Sequence, residues 1–170
     1  VRRSHCRQAE RSFSFGGMAD SKVLVGVEPS DFASDYVLAG CELQEKIEKA
    51  AYEIGKGAIP INTVGSFLFG DDFKLGKVKP SVKPKFIYAN FEKIFPAFIC
   101  ESLKVGIINF GKKIPGFDDR EAVLTAPETR SSAPVRILRD EKFQSNLKGI
   151  YPCGEGAGYA GGIMSAAIDG

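Results

Sequence analysis

Apolar and polar residues alternate over residues 21–29, SKVLVGVEP, where Val23, Val25 and Val27 interleave with Lys22, Leu24 and Gly26. A period of two predicts a half-buried β-strand, and Pro29 ends it because proline has no amide to donate. Asp31 then opens a loosely helical or turn segment. The period lengthens over residues 41–57, CELQEKIEKAAYEIGKG, where Leu43, Ile47, Ala50, Ala51 and Ile54 recur at helical spacing. This predicts an amphipathic helix whose charged side carries Glu42–Lys46 and Glu45–Lys49 pairs, each worth about 0.2–0.5 kcal/mol. Gly55 and Gly57 supply its stop.

Regular periodicity then breaks. Pro60, Pro80, Pro84, Gly65, Gly70 and Gly76 punctuate residues 58–90, and KVKPSVKPK (77–85) carries lysines and no acid. It reads as an extended connector near the surface. Asp71 and Asp72, flanked by Gly70, read as a turn and not as an acid pair. Helical spacing returns over 89–117, where Phe91, Ile94, Phe95, Phe98, Ile99 and Leu103 form one apolar face. Pro96 suits the first turn of a helix, so this stretch is expected as two short pieces. Two strand-like runs follow, AVLT (122–125) and VRIL (135–138). They flank the loop PETRSSAP, with Glu128, Arg130, Ser131 and Ser132, and Arg136 and Arg139 come just after. Two arginines beside a serine-rich loop can hold an anion or serve as ordinary ion-pair partners.

The C-terminal stretch GIYPCGEGAGYAGGIMSAAIDG (149–170) reads as a short strand over 149–153, a glycine turn, and a helix of small apolar residues. Gly156, Gly158 and Gly161 satisfy G-x-G-x-x-G. Glycine permits positive φ and close approach of a ligand to the backbone, and free amides at a helix start favour electron-rich groups. A dinucleotide fingerprint needs a further strand about 20 residues on, ending in an acid. Only nine residues follow Gly161, so the pattern is not a first βαβ unit. No Walker lysine follows the glycines either, which weakens a phosphate-binding reading. A strand–turn–helix that closes an FAD site fits better. There Glu155 is placed for the ribityl hydroxyls and the amides of 161–164 for the flavin ring.

Composition narrows the classes. Of 170 residues, 44% are hydrophobic and 26% charged, as in an ordinary globular protein, and the net charge of +2 gives no reason to expect nucleic acid. No apolar run is long enough for a membrane span. The four cysteines, Cys6, Cys41, Cys100 and Cys153, form no CxxC pair, and the one histidine is His5. No metal site, disulfide framework or cysteine–histidine pair is expected. The start VRRSHCRQAERSFSF fits an organelle transit segment or a chain that begins in mid-domain, the second being preferred. The expected location is cytoplasmic, with a plastid as the alternative.

The motifs also carry a resemblance. KGIYPCGEGAGYAGGIMSAAIDG resembles the C-terminal FAD signature of the bacterial and plastid FAD-dependent dehydrogenase-like proteins, and PETRSSAPVRILRD is similar to a segment of the same family. LAGCELQEKIEKAAYEIG and TVGSFLFG resemble its inserted-domain helix and the turn after it, and SKVLVGVEPSDF one of its strands. The resemblance spans residues 21–170. It implies an α/β fold with an α+β insert: a partial Rossmann-like FAD-binding domain with an inserted helical and irregular substrate-side domain. The implied division is 1–37, a ragged N-terminus plus a strand; 38–118, the insert; and 119–170, the C-terminal part of the FAD domain. It places Gly154, Glu155, Gly156, Ala157, Gly158, Tyr159, Gly161, Gly162, Ile163 and Met164 near FAD. Arg130 and Arg136 become candidates for the cofactor or substrate side. It implies an oxidoreductase acting on an unknown small molecule, with no catalytic acid or base assigned. The family's early dinucleotide fingerprint is absent, and the RSFSF–GGM stretch looks like a family region with a piece missing. A C-terminal fragment that binds FAD weakly or not at all on its own is therefore expected. The alternative is a non-catalytic remnant acting as a binding module.

Overall fold

The structure is a computed structural model that describes residues 12–16, 22–32, 34–83 and 85–170. His5, Cys6 and the first eleven residues lie outside the described residues, as does Ser21. The chain divides into two compact units. Among the described residues one, the sheet unit, comprises 12–16, 22–25 and 46–128; the other, the loop unit, comprises 26–45 and 129–170.

The sheet unit holds strands β1 (Ser12–Gly16), β2 (Ile59–Thr63), β3 (Phe86–Tyr88) and β4 (Val123–Glu128), in the order β1-β4-β2-β3. β4 runs antiparallel to both β1 and β2, while β2 and β3 are parallel. The result is a mixed sheet within an α/β chain. Pro60 sits inside β2 without breaking it. The β2–β4 register begins only at Ile61↔Thr125, so the missing amide of Pro60 leaves no ladder bond unmade. The parallel bonds on the other edge come from neighbours: Ile59 donates to Lys85 O at 2.9 Å, and Ala89 to Ile61 O at 2.9 Å.

Helix α1 (Ala39–Gly55) starts two residues before its expected position, and its stretch within this unit buries Ile47 and Ala51. Helix α2 (Val64–Phe69) corrects the expectation of a turn at TVGSFLFG. Thr63 Oγ1 accepts the amide of Ser66 at its start, and Gly70, at φ 73°, caps its end. The 71–85 stretch carries no helix or strand among its described residues. Residues 89–117 divide as expected at Pro96, which is the N-cap and not a first-turn residue. A 3-10 turn (Phe91–Lys93) precedes it and α3 (Ala97–Gly111) follows. Ile99, Cys100, Leu103 and Ile107 recur at helical spacing and form α3's buried face, with Phe98 only half-buried.

Cys100 is 3% exposed, and burial, aided by the Glu92 charge, pushes its thiol up to about 11. Since the thiolate is the nucleophile, Cys100 is expected to resist alkylation at neutral pH until the chain is denatured. Exposed Cys153 reacts first and half-buried Cys41 later. Peptide mapping of a timed labelling reaction checks this, and Cys100 reacting as fast as Cys153 would contradict it.

Three expected strands are not strands. Residues 23–28 keep the alternation, with Val23, Val25 and Val27 buried, and Val23 lies against α3 at Gly106. They form no ladder, however. The same holds for 135–138, where only an isolated bridge at Arg136 occurs, and for 149–153. An apolar pattern reports which side chains are covered, whereas a strand also needs a neighbour to receive its backbone bonds.

The loop unit is built mainly from irregular backbone. Among the described residues its regular elements are a 3-10 turn (Pro29–Asp31), the start of α1, and α4 (Ile163–Asp169). The first turn of α1 lies so close to the PETRSSAP loop that a Cβ on Gly40 would stand 2.8 Å from Pro134 Cβ. Among the described residues no helix is long and apolar enough to cross a membrane.

Candidate cofactor site

The glycine-rich turn is built by its own amides and then fastened to residues 135–139. Gly158 N donates to Glu155 O at 2.9 Å and Tyr159 N to Gly154 O at 3.0 Å. Ile137 N donates to Ala157 O at 3.1 Å, Arg136 Nε to Gly158 O at 2.9 Å, and the Tyr159 hydroxyl to Ile137 O at 3.0 Å. Gly158 is required here twice over. Its φ is 82°, and a Cβ would sit 2.5 Å from Val135 O.

A second fastening joins the turn to α4. Both terminal nitrogens of Arg139 reach Asp169, at 2.9 and 2.5 Å, and Nη1 also donates to Pro152 O at 2.8 Å. Asp169 Oδ2 in turn accepts the amide of Gly154 at 2.8 Å. The Arg139 guanidinium stacks over the Tyr159 ring, 3.7 Å from its centroid. Arg139 is thus an ordinary ion-pair partner, with side chains in the pair only 10% and 18% exposed.

The hydrogen bond from Arg139, then that from the Gly154 amide, hold the Asp169 carboxyl below its ordinary value against an opposing effect of burial. A carboxyl whose folded pKa is depressed contributes stability above its unfolded value, and that contribution disappears as pH falls through the depressed one. Protection of the Gly154 amide against hydrogen exchange, corrected for intrinsic rate, is therefore expected to stay level down to the ordinary carboxylate range. It should fall only below that range, and Asp169→Asn should abolish this acid dependence. A loss of protection centred near neutral pH would contradict the assignment.

Beside the turn lies a cavity of about 590 Å³. Glu155 and Gly156 line it from the turn, Arg130 and residues 132–135 from the PETRSSAP loop, and Cys41, Gln44 and Glu45 from α1. Gln44, 9% exposed, donates from Nε2 to Thr129 O at 2.7 Å and so ties the start of α1 to the loop. The Ser131 hydroxyl is buried with no hydrogen-bond partner among the described residues. Around Gly156 the surface is open: an added Cβ would meet nothing within 4 Å.

The structure thus brings together three of the expected residues, Arg130, Glu155 and Gly156, on one cavity. Ala157, Gly158, Tyr159 and Arg136 form the frame of the turn. Gly161, Gly162, Ile163 and Met164 lie at the start of α4 and do not line the cavity. Ile163 is 90% and Met164 72% exposed. The amide of Gly162 is taken by Ser165 Oγ at 3.1 Å. Sequence reasoning missed Gln44. The available signal was a polar residue on the stripe that continues through Ile47 and Ala51, where a buried amide needs a partner. Among the described residues no group of three or more His, Cys, Asp or Glu side chains gathers to hold a metal.

Comparison with known sequences gives the class. The profile of the FAD-dependent protein, C-terminal domain-like family matches residues 10–131, and the chain belongs to that family. An uncharacterized protein of Clostridium beijerinckii is similar to it, with 44% identity over 156 residues. That alignment covers 89% of this chain and 29% of the relative, so the chain spans under a third of the relative's length. The family match stops at residue 131, before the glycine turn.

Proposed function

We propose that the loop unit supplies part of the FAD site of an FAD-dependent oxidoreductase acting on a small molecule. The carrying observation is the cavity of about 590 Å³ on which Glu155, Gly156, Arg130 and Ser132 converge beside an open glycine backbone. The donor set suits a polyhydroxylated, anionic cofactor. The Glu155 carboxylate accepts from ribityl hydroxyls, and Arg130 donates to the electron-rich portion. Gly156 lets the ligand approach the backbone, and the orphaned Ser131 hydroxyl gives this loop one more donor. Because Ser165 takes the Gly162 amide, contact with the pyrimidine edge falls to the amides of Gly161, Ile163 and Met164. Arg136 acts by positioning the turn through Gly158 O. Bound FAD supplies the redox chemistry; the protein's part is to orient it and to exclude water.

Titration of FAD fluorescence with the 170-residue chain tests this reading. Quenching is expected with weak affinity, in the micromolar to millimolar range, because the early dinucleotide fingerprint is not part of this sequence. Gly156→Val should weaken binding at least tenfold, about 1.4 kcal/mol, while leaving stability within about 0.5 kcal/mol, since the added side chain meets open space. Equal quenching by variant and parent would overturn the assignment of Gly156.

A further inference from the structure

Strand β3 lies at an edge of the sheet, and β2 engages only alternate residues of its backbone. Ile59 N donates to Lys85 O and Ala89 N to Ile61 O, both at 2.9 Å. With the register Ile59↔Phe86, Pro60↔Ile87 and Ile61↔Tyr88, the amide and carbonyl of Ile87 turn toward β2. Those of Phe86 and Tyr88 then point to the open side, where no strand pairs with β3 among the described residues. The three side chains are 42%, 41% and 44% exposed. An exposed apolar strand with an open backbone edge is a template for one more extended chain.

The segment that leads into β3 defines the charge of that chain. Over residues 77–83 exposure alternates: Lys77, Lys79, Ser81 and Lys83 are exposed, while Val78, Pro80 and Val82 are half-buried. Lys85, at the threshold of β3, is exposed as well. Lys77, Lys79, Lys83 and Lys85 form no ion pair among the described residues. The edge is therefore flanked by positive charge that the sheet unit itself does not balance. A second copy of this chain would bring the same lysines to the interface and is disfavoured by their repulsion. An acidic chain is attracted by them.

We propose that the open edge of β3 is a docking surface for an acidic peptide segment, which adds as a further strand. Its backbone pairs with Phe86 and Tyr88, and its carboxylates face Lys79, Lys83 and Lys85. The surface lies wholly within the sheet unit and does not depend on the flavin reading.

The test is a fluorescence-polarisation titration of the full 170-residue chain with a labelled heptapeptide of alternating glutamate and valine. Saturable binding is expected in the micromolar to millimolar range. The same peptide N-methylated at every internal residue keeps its charge but loses its amide donors, and should bind at least tenfold more weakly. So should a heptapeptide of alternating lysine and valine. Lys83→Glu combined with Lys85→Glu should weaken binding of the acidic peptide about tenfold. Phe86→Pro removes an amide that β2 does not use and should weaken it to a similar extent. In NMR spectra of the complex the Phe86 and Tyr88 amides should shift more than that of Ile87. The lysine variants and the N-methylated peptide keep the test decisive if Phe86→Pro misfolds. The proposal is overturned if the N-methylated peptide binds as well as its parent, which would mean attraction by charge alone. It is also overturned if the acidic peptide fails to bind, or if sedimentation shows the chain pairing with itself through β3.

Discussion

Leu103→Ala should destabilise the sheet unit by about 2–5 kcal/mol, the range for truncating a fully buried leucine. Leu103 is 0% exposed and lies on α3 between Ile99 and Ile107, which are also 0% exposed. The methyl groups removed therefore have no route to solvent, and a fixed helix face cannot collapse to refill the space. With a stability of typically 5–15 kcal/mol for a whole domain, such a loss is a large fraction of the total. Urea denaturation followed by far-UV circular dichroism measures it. The midpoint should fall while the dependence on denaturant stays the same. A change below about 0.5 kcal/mol would mean that α3 does not pack as described.

Gly158→Ala carries the other large effect, and it falls on the cofactor turn. Two costs combine. A non-glycine residue held at φ 82° costs about 1–3 kcal/mol, and its Cβ would stand 2.5 Å from Val135 O and 3.0 Å from Arg136 Cα. These obstacles are backbone atoms, so the turn must move away from residues 135–136. The bond from Arg136 Nε to Gly158 O would be lost with it. The expected result is a local loss of about 2–4 kcal/mol, seen as faster exchange of the Ile137 and Tyr159 amides, and a loss of FAD quenching of tenfold or more. Normal exchange at both amides would show that the turn is not fastened as the geometry states.

Which parts of this molecule were legible follows from what a sequence pattern encodes. Helix α1 and the division at Pro96 could be read because a one-sided apolar stripe and a proline act locally. The glycine turn could be read because Gly154 and Gly158 adopt the positive φ that glycine permits. β2 was hidden for the opposite reason. Its residues 60–63 are all buried, so no alternation exists, and Pro60 looked like punctuation. β3 has three residues, all exposed, and α2 is announced only by Thr63 and Gly70 at its ends. Residues 23–27 misled in reverse: their alternation truly marks burial, but pairing is a property of neighbours far along the chain. At the site, Glu155, Gly156 and Arg130 were reachable through the motifs. Gln44 was not, because its role depends on Thr129 being opposite α1, 85 positions away.

The central claim is that the cavity beside the 154–158 turn is part of an FAD site, and an amide chemical-shift titration of the chain with FAD tests it most directly. Such a titration detects weak binding and locates it. Saturable shifts are expected at Arg130, Ser132, Glu155 and Gly156, extending to Ile163 and Met164 at the start of α4, with the sheet unit unmoved. Absence of any saturable shift at Glu155 and Gly156, or shifts gathered instead in the sheet unit, would contradict it.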